Sequence, residues 1–160
     1  MISLHRILLP TDFSDAAACA VPYACELAGQ FGAELHVLFV IHDLASEVPD
    51  FGMGLAFPGY LEHLPERSQK LEEKAIEHLA KVLPDGWDKS RVVLATRKGP
   101  AFQRIIEYAR EHQTDLIVMG THGRGMVSHT LLGSVAERVV RKAPCPVLTV
   151  RPDEHEFVMP

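Results

Sequence analysis

Positive charge is in short supply in this chain: 16 lysines and arginines stand against 21 aspartates and glutamates, a net charge of −5. No broad basic surface is left for a phosphate backbone, which argues against nucleic-acid binding. Cysteine is sparse as well. Cys19, Cys25 and Cys145 are odd in number and lack metal-type spacing, so reduced thiols and a cytoplasmic setting are expected. The nine histidines are scattered, with no His-x3-His pair near a third ligand, and no metal site is expected. No apolar run reaches the ~18–20 residues that cross a bilayer. The first six residues lead directly into a strand-like run without a signal-peptide pattern.

What remains is ordinary globular material. Hydrophobic residues make up 47% and charged residues 23% of 160 residues, enough for one domain with a sizeable core. Residues 6–10 (RILLP) and 34–41 (ELHVLFVI) are continuous apolar runs, as strands covered on both faces would be. Between them Ser14 can cap a helix reaching Phe31, with Val21, Ala24, Cys25 and Ala28 on one face. Pro22 interrupts that pattern and predicts a kink or a late start nearby. Gly32 stands where a left-handed C-terminal residue is wanted. Further strands are expected at 91–96, 115–120 and 146–150. Helices are expected at 65–83, where Leu71, Ala75, Leu79 and Val82 form a stripe, after Gly99-Pro100, with Phe102, Ile105, Ile106 and Ala109 inward, and at 131–142.

Five strands alternating with four helices predict a single doubly wound parallel sheet with helices on both faces, Rossmann-like, over residues 1–151. Residues 152–160 are expected as a flexible tail. Residues 42–64 break the rhythm with proline and glycine and are expected as a lid over the site or a partner contact. Ligands of such sheets sit beyond the carboxyl ends of the strands, where the winding direction switches.

The fourth strand runs into Met119-Gly120-Thr121-His122-Gly123-Arg124-Gly125, and Gly133-Ser134 follow at the opening of the fourth helix. Glycine permits positive φ, which is expected at Gly133, and a close approach of backbone to ligand. Helix N-terminal amides attract anions, and Ser134 adds a hydroxyl. These features describe a phosphate cradle; the alternative is that Gly120 and Gly123 make a turn and Gly133 relieves helix–sheet crowding.

The spacing Gly120-x2-Gly123-x9-Gly133-Ser134 resembles the G-x2-G-x9-G-[ST] signature of the nucleotide-binding branch of the universal stress protein family. The flanks are similar too: Pro10-Thr11-Asp12-Phe13-Ser14 after the first strand, and Ala143-Pro144-Cys145-Pro146-Val147 before the last. The resemblance covers residues 3–151. It implies the strand order 3-2-1-4-5, binding of ATP, ADP or AMP with or without Mg, a homodimer joined through the fifth strand, and a role as a stress-response switch. By the same resemblance Gly120 lies under the ribose, while Gly123, Gly133, Ser134 and Val135 offer donors to phosphates. Pro10, Thr11 and Asp12 line the adenine end, Val40 meets the base edge and Met119 adds apolar contact. Asp12 has a second reading as an organiser of the helix N-terminus. Arg124 pairs with a terminal phosphate or is a solvated loop charge. His122 and His129 are either titrating groups of the site or surface histidines.

A phosphoryl-transfer enzyme needs a metal-holding carboxylate and a group that places the nucleophile. Asp12 and Asp43 are the acids nearest the expected pocket, and neither belongs to such a signature. A binding or switch module is the expectation. Slow ATP hydrolysis or adenylate transfer in the same pocket is the alternative.

Overall fold

The computed structural model describes residues 2–42, 64–121 and 132–152. Residues 43–63 of the expected lid, 153–160 of the expected tail, and the candidate residues His122, Gly123, Arg124 and His129 lie outside them. Among the described residues five strands form one sheet: β1 Arg6–Thr11, β2 Glu34–Ile41, β3 Val92–Lys98, β4 Leu116–Gly120 and β5 Val147–Val150. Every pairing is parallel, as the alternating pattern predicts, and the order is β3-β2-β1-β4-β5, the one that the resemblance implied. The helices are α1 Asp15–Ala18, α2 Ala20–Phe31, α3 Leu64–Leu79, α4 Ala101–Glu111 and α5 Ser134–Lys142.

Alternation along β1 explains why both sheet faces are covered. Ile7 and Leu9 point to one side and pack with Ala20, Ala24 and Ala28 of α2 and Leu79 of α3. Leu8 points to the other and meets Ile105, Tyr108 and Ala109 of α4 and Ala136 and Val139 of α5. The sheet is thus sandwiched, and its strand ends are where polar groups can meet solvent.

Three expected boundaries shift, each for a local reason. The helix expected from Ser14 to Phe31 divides at Cys19. A proline ring clashes with the carbonyl four residues back and cannot donate to it; restarting at Ala20 places Pro22 in a first turn, where neither matters. α3 ends at Leu79 rather than 83, and the chain passes into tighter bonds, Lys81 N–H to His78 carbonyl at 3.0 Å and Val82 N–H to Leu79 carbonyl at 3.1 Å, because Pro84 disfavours helical geometry just before it. Of the α3 stripe, Ala75 and Leu79 are buried but Leu71 is 55% exposed. α5 opens at Ser134 rather than 131, with Gly133 as its N-cap.

Two polar devices fix the layers. Below α4, His36 is only 4% exposed, with Nδ1 2.8 Å from the Tyr108 hydroxyl and Nε2 2.9 Å from Glu34 Oε2. Burial raises the pKa of Tyr108 against the opposing charge of Arg97, whose guanidinium lies 4.8 Å from the ring centroid. At the amino ends of the strands, Asp115 Oδ2 accepts from the amides of His5 at 2.7 Å and Arg6 at 2.9 Å, fastening the entry of β1 to that of β4.

Desolvation works against the charged form of Asp115, but the two amides and the charges of His5 and Arg6 outweigh it, and its pKa lies below the usual carboxylate value. A lowered folded-state pKa gives stability that is complete above the unfolded value of about 3.9 and is lost as pH falls through the folded one. Urea midpoints of the wild type should therefore drop on acidification below about pH 4, and Asp115→Asn should flatten that drop. An unchanged acid limb in the variant would remove Asp115 from the linkage.

Candidate functional site

At the carboxyl end of β1 the chain turns through four side-chain bonds. Thr11 Oγ1 accepts from the Phe13 amide at 3.1 Å. Asp12 Oδ1 accepts from the Ser14 amide at 3.0 Å and from the Ser14 hydroxyl. Ser14 Oγ then accepts from the Ala17 amide at 3.2 Å, the N-cap bond of α1. Asp12 thus organises a helix start, the second of its two readings, and it also faces the cavity described below.

The end of β4 meets this turn from the neighbouring strand. A Cβ placed on Gly120 would run into the Ala16 carbonyl oxygen and come within 3.1 Å of Ala17 Cα. Glycine is required here because α1 lies directly on the strand. Thr121, 2% exposed, continues the rim: its amide donates to the Val150 carbonyl at 2.9 Å, and its carbonyl accepts from the Gly133 amide at 2.7 Å. That last bond corrects one expectation, since the Gly133 amide is already engaged and is no donor to a ligand. A second is corrected by the backbone: Gly133 has φ −66° and ψ 155°, a conformation open to any residue. The first intrahelical bond of α5 runs from the Glu137 amide to the Gly133 carbonyl at 2.9 Å. The amides of Ser134, Val135 and Ala136 precede it, at the positive end of the helix dipole.

Between these elements is a cavity of about 270 Å³. Its walls include Pro10, Thr11 and Asp12 of the β1 turn, Val40 of β2, Met119 and Gly120 of β4, and Gly133, Ser134 and Val135 of α5. Nine of the candidate residues are therefore brought together; His122, Gly123 and Arg124 lie outside the described residues. The walls change character across the sheet. Towards β2 and α4 they are apolar, from Leu38, Val40, Ala101 and Ile105; towards β4 and α5 the hydroxyl side chains Thr121 and Ser134 stand among Met119, Val135 and Ala136, with the first-turn amides of α5 at the helix start.

Residues 3–151 match the profile of the universal stress protein family. The chain belongs to that family. It is 34% identical to the universal stress protein MJ0531 of Methanocaldococcus jannaschii over 94% of this chain and 84% of that one. In structure it resembles MJ0577 of the same organism, a protein whose structure served to assign its biochemical function, with a TM-score of 0.76 and 26% identity over 96% of this chain and 100% of that one. It also shares its fold with a universal stress protein solved in complex with cAMP, at TM-score 0.60 and 22% identity over 95% of this chain and 100% of that one.

Some walls of this universal stress protein's cavity were not found from sequence. Thr121 sits inside the glycine stretch, and its neighbours drew attention away from it. Leu38, Ala101 and Ile105 read as ordinary core positions, because an apolar cavity wall and an apolar core share one pattern. Ala17 lines the cavity as well and owes its place to the contact of α1 with Gly120. Gly120→Ala should therefore lift α1 from the strand and destabilise the fold by about 1–3 kcal/mol, as overpacking does. Chemical denaturation measures it, and a variant as stable as wild type would deny the close contact.

Proposed function

We propose that this chain is a nucleotide-binding universal stress protein, holding ATP or a related adenine nucleotide and acting as a switch whose occupancy alters its shape or partners. The observation that carries this reading is the two-sided cavity. An apolar slot on the β2–α4 side suits a purine, and the N-terminus of α5 on the other side suits phosphates. In this reading Pro10, Thr11, Asp12, Val40 and Met119 surround the base, and Gly120 lies under the ribose. Ser134 and Val135 donate to phosphates, joined by His122, Gly123 and Arg124 of the glycine stretch. The cAMP complex of a protein with the same fold accords with it.

Holding is favoured over turnover. Among the described lining residues the acid is Asp12, and its Oδ1 already serves Ser14. The thiols of Cys19, Cys25 and Cys145 are free, as suits a reducing cytoplasm. Burial pushes the Cys25 thiol up to about 11, which keeps it protonated and inert at neutral pH.

The same reading includes a homodimer through β5. This strand is the sheet edge, and its ladder shows which groups face outward. The carbonyls of Pro146 and Val150 accept from Ile117 of β4 and from Thr121 just beyond it. With a two-residue period Leu148 also faces β4, and the main-chain groups of Val147 and Thr149 are left to the outer edge. A two-fold axis there would pair two copies antiparallel.

Three measurements test these statements. Mass spectrometry of small molecules released from gently purified protein should detect an adenine nucleotide. Calorimetric titration with ATP, with and without Mg²⁺, should show binding that Ala101→Trp weakens at least tenfold, about 1.4 kcal/mol, by filling the slot. Undiminished affinity in the folded variant would move the nucleotide elsewhere. For assembly, Thr149→Pro deletes an outward donor and should shift light scattering from dimer to monomer, whereas Leu148→Pro would damage the sheet itself. A wild type that is monomeric at tens of micromolar would refute the dimer.

A further inference from the structure

Phe13 sits between cavity-lining Asp12 and helix α1, yet it does not line the cavity itself. Its φ is +63°, in the left-handed region where the Cβ of an L residue crowds the backbone and a bulky side chain is out of place. Such a conformation persists only where surrounding contacts over-determine it. Here they can be named. The Phe13 amide donates to Thr11 Oγ1 at 3.1 Å. The ring centroid lies 4.6 Å from that of Phe39 on β2 and 5.7 Å from that of His78 on α3. His78 is itself held, with Nδ1 2.8 Å from the Lys74 carbonyl, a contact that needs the proton on Nδ1.

We propose that Phe13 is the positioning residue of this site: its ring, held against Phe39 and His78, locks the left-handed turn that presents Asp12 to the cavity and seats α1 on Gly120. A turn that needed only a positive φ would be served by glycine without strain. Phenylalanine makes the turn depend on packing, so that β2 and α3 hold it from outside the cavity. The bond of Asp12 to Ser14 spans Phe13 and that of Ser14 to Ala17 follows directly after it in the chain, and the fixed turn lets both form at once. The consequence for affinity rests on the nucleotide reading above; the ordering of the turn does not.

The experiment uses the full chain with Phe13→Gly, which keeps the backbone permitted and removes the ring, and Phe13→Tyr, which keeps the ring. Hydrogen exchange without nucleotide should show the Ser14 and Ala17 amides exchanging at least tenfold faster in Phe13→Gly, with Ile117 and Met119 of β4 unchanged. Calorimetry should show at least a tenfold loss of ATP affinity. Phe13→Tyr should restore both. Undisturbed exchange at Ser14 and Ala17, or equal acceleration across β4, would overturn the proposal. Should Phe13→Gly not fold, Phe13→Leu is measured in the same way and the same outcomes decide. A wild type that binds no ATP would defeat the nucleotide reading alone, leaving Phe13 to be judged on the exchange arm.

Discussion

How closely α1 can approach β4 sets the geometry of the whole carboxyl rim. The absence of a side chain at Gly120 lets the backbone of Ala16 and Ala17 rest on the strand, and a short run of alanines keeps the helix slim on its own side. Thr121 is left at the height where its carbonyl can take the Gly133 amide, and this bond fixes where α5 begins. One missing methyl group thereby orders two helix starts.

A parallel sheet buried on both faces has little choice about where polar chemistry can occur. Its faces are spent on Leu, Ile and Val packing, so polar groups collect at the strand ends. The amino ends hold Asp115 and its two amides, a closed arrangement that tethers strands. At the carboxyl ends a cavity opens, because the chain leaves β1 and β4 towards different helices. The contrast between a tied end and an open end follows from the strand order.

Much of this was legible in the sequence, and the failures share a cause. Continuous apolar runs announced the strands, and the α2 face of Val21, Ala24, Cys25 and Ala28 is buried as its spacing implied. Gly32 takes the left-handed C-cap that its position suggested, at φ +62°. The glycine spacing pointed to the rim where the cavity lies, and nine candidate residues line it. Leu71 misled because helical spacing does not say where the sheet ends, and the stripe of α3 runs past the surface it covers. Gly133 misled in a different way: glycine is compatible with many backbone conformations, and only the structure shows that an ordinary one is used. Phe13 gave no signal, because nothing local marks an aromatic residue for left-handed geometry; that comes from contacts with Phe39 and His78, distant in sequence.

The pair formed by His36 and Tyr108 bears on how the cavity behaves before anything enters it. Apolar packing alone would let α4 slide or roll slightly on the sheet, since dispersion contacts are weakly directional. A directional bond of 2.8 Å between buried groups removes that freedom, because a displaced helix would leave both partners unsatisfied in a medium with no water to replace them. Ile105 and Ala101 lie about one and two turns back along the same helix from Tyr108, so a polar contact below the apolar slot helps to set its width. A wall held in this way would spare whatever occupies the slot the entropic cost of ordering its own binding surface.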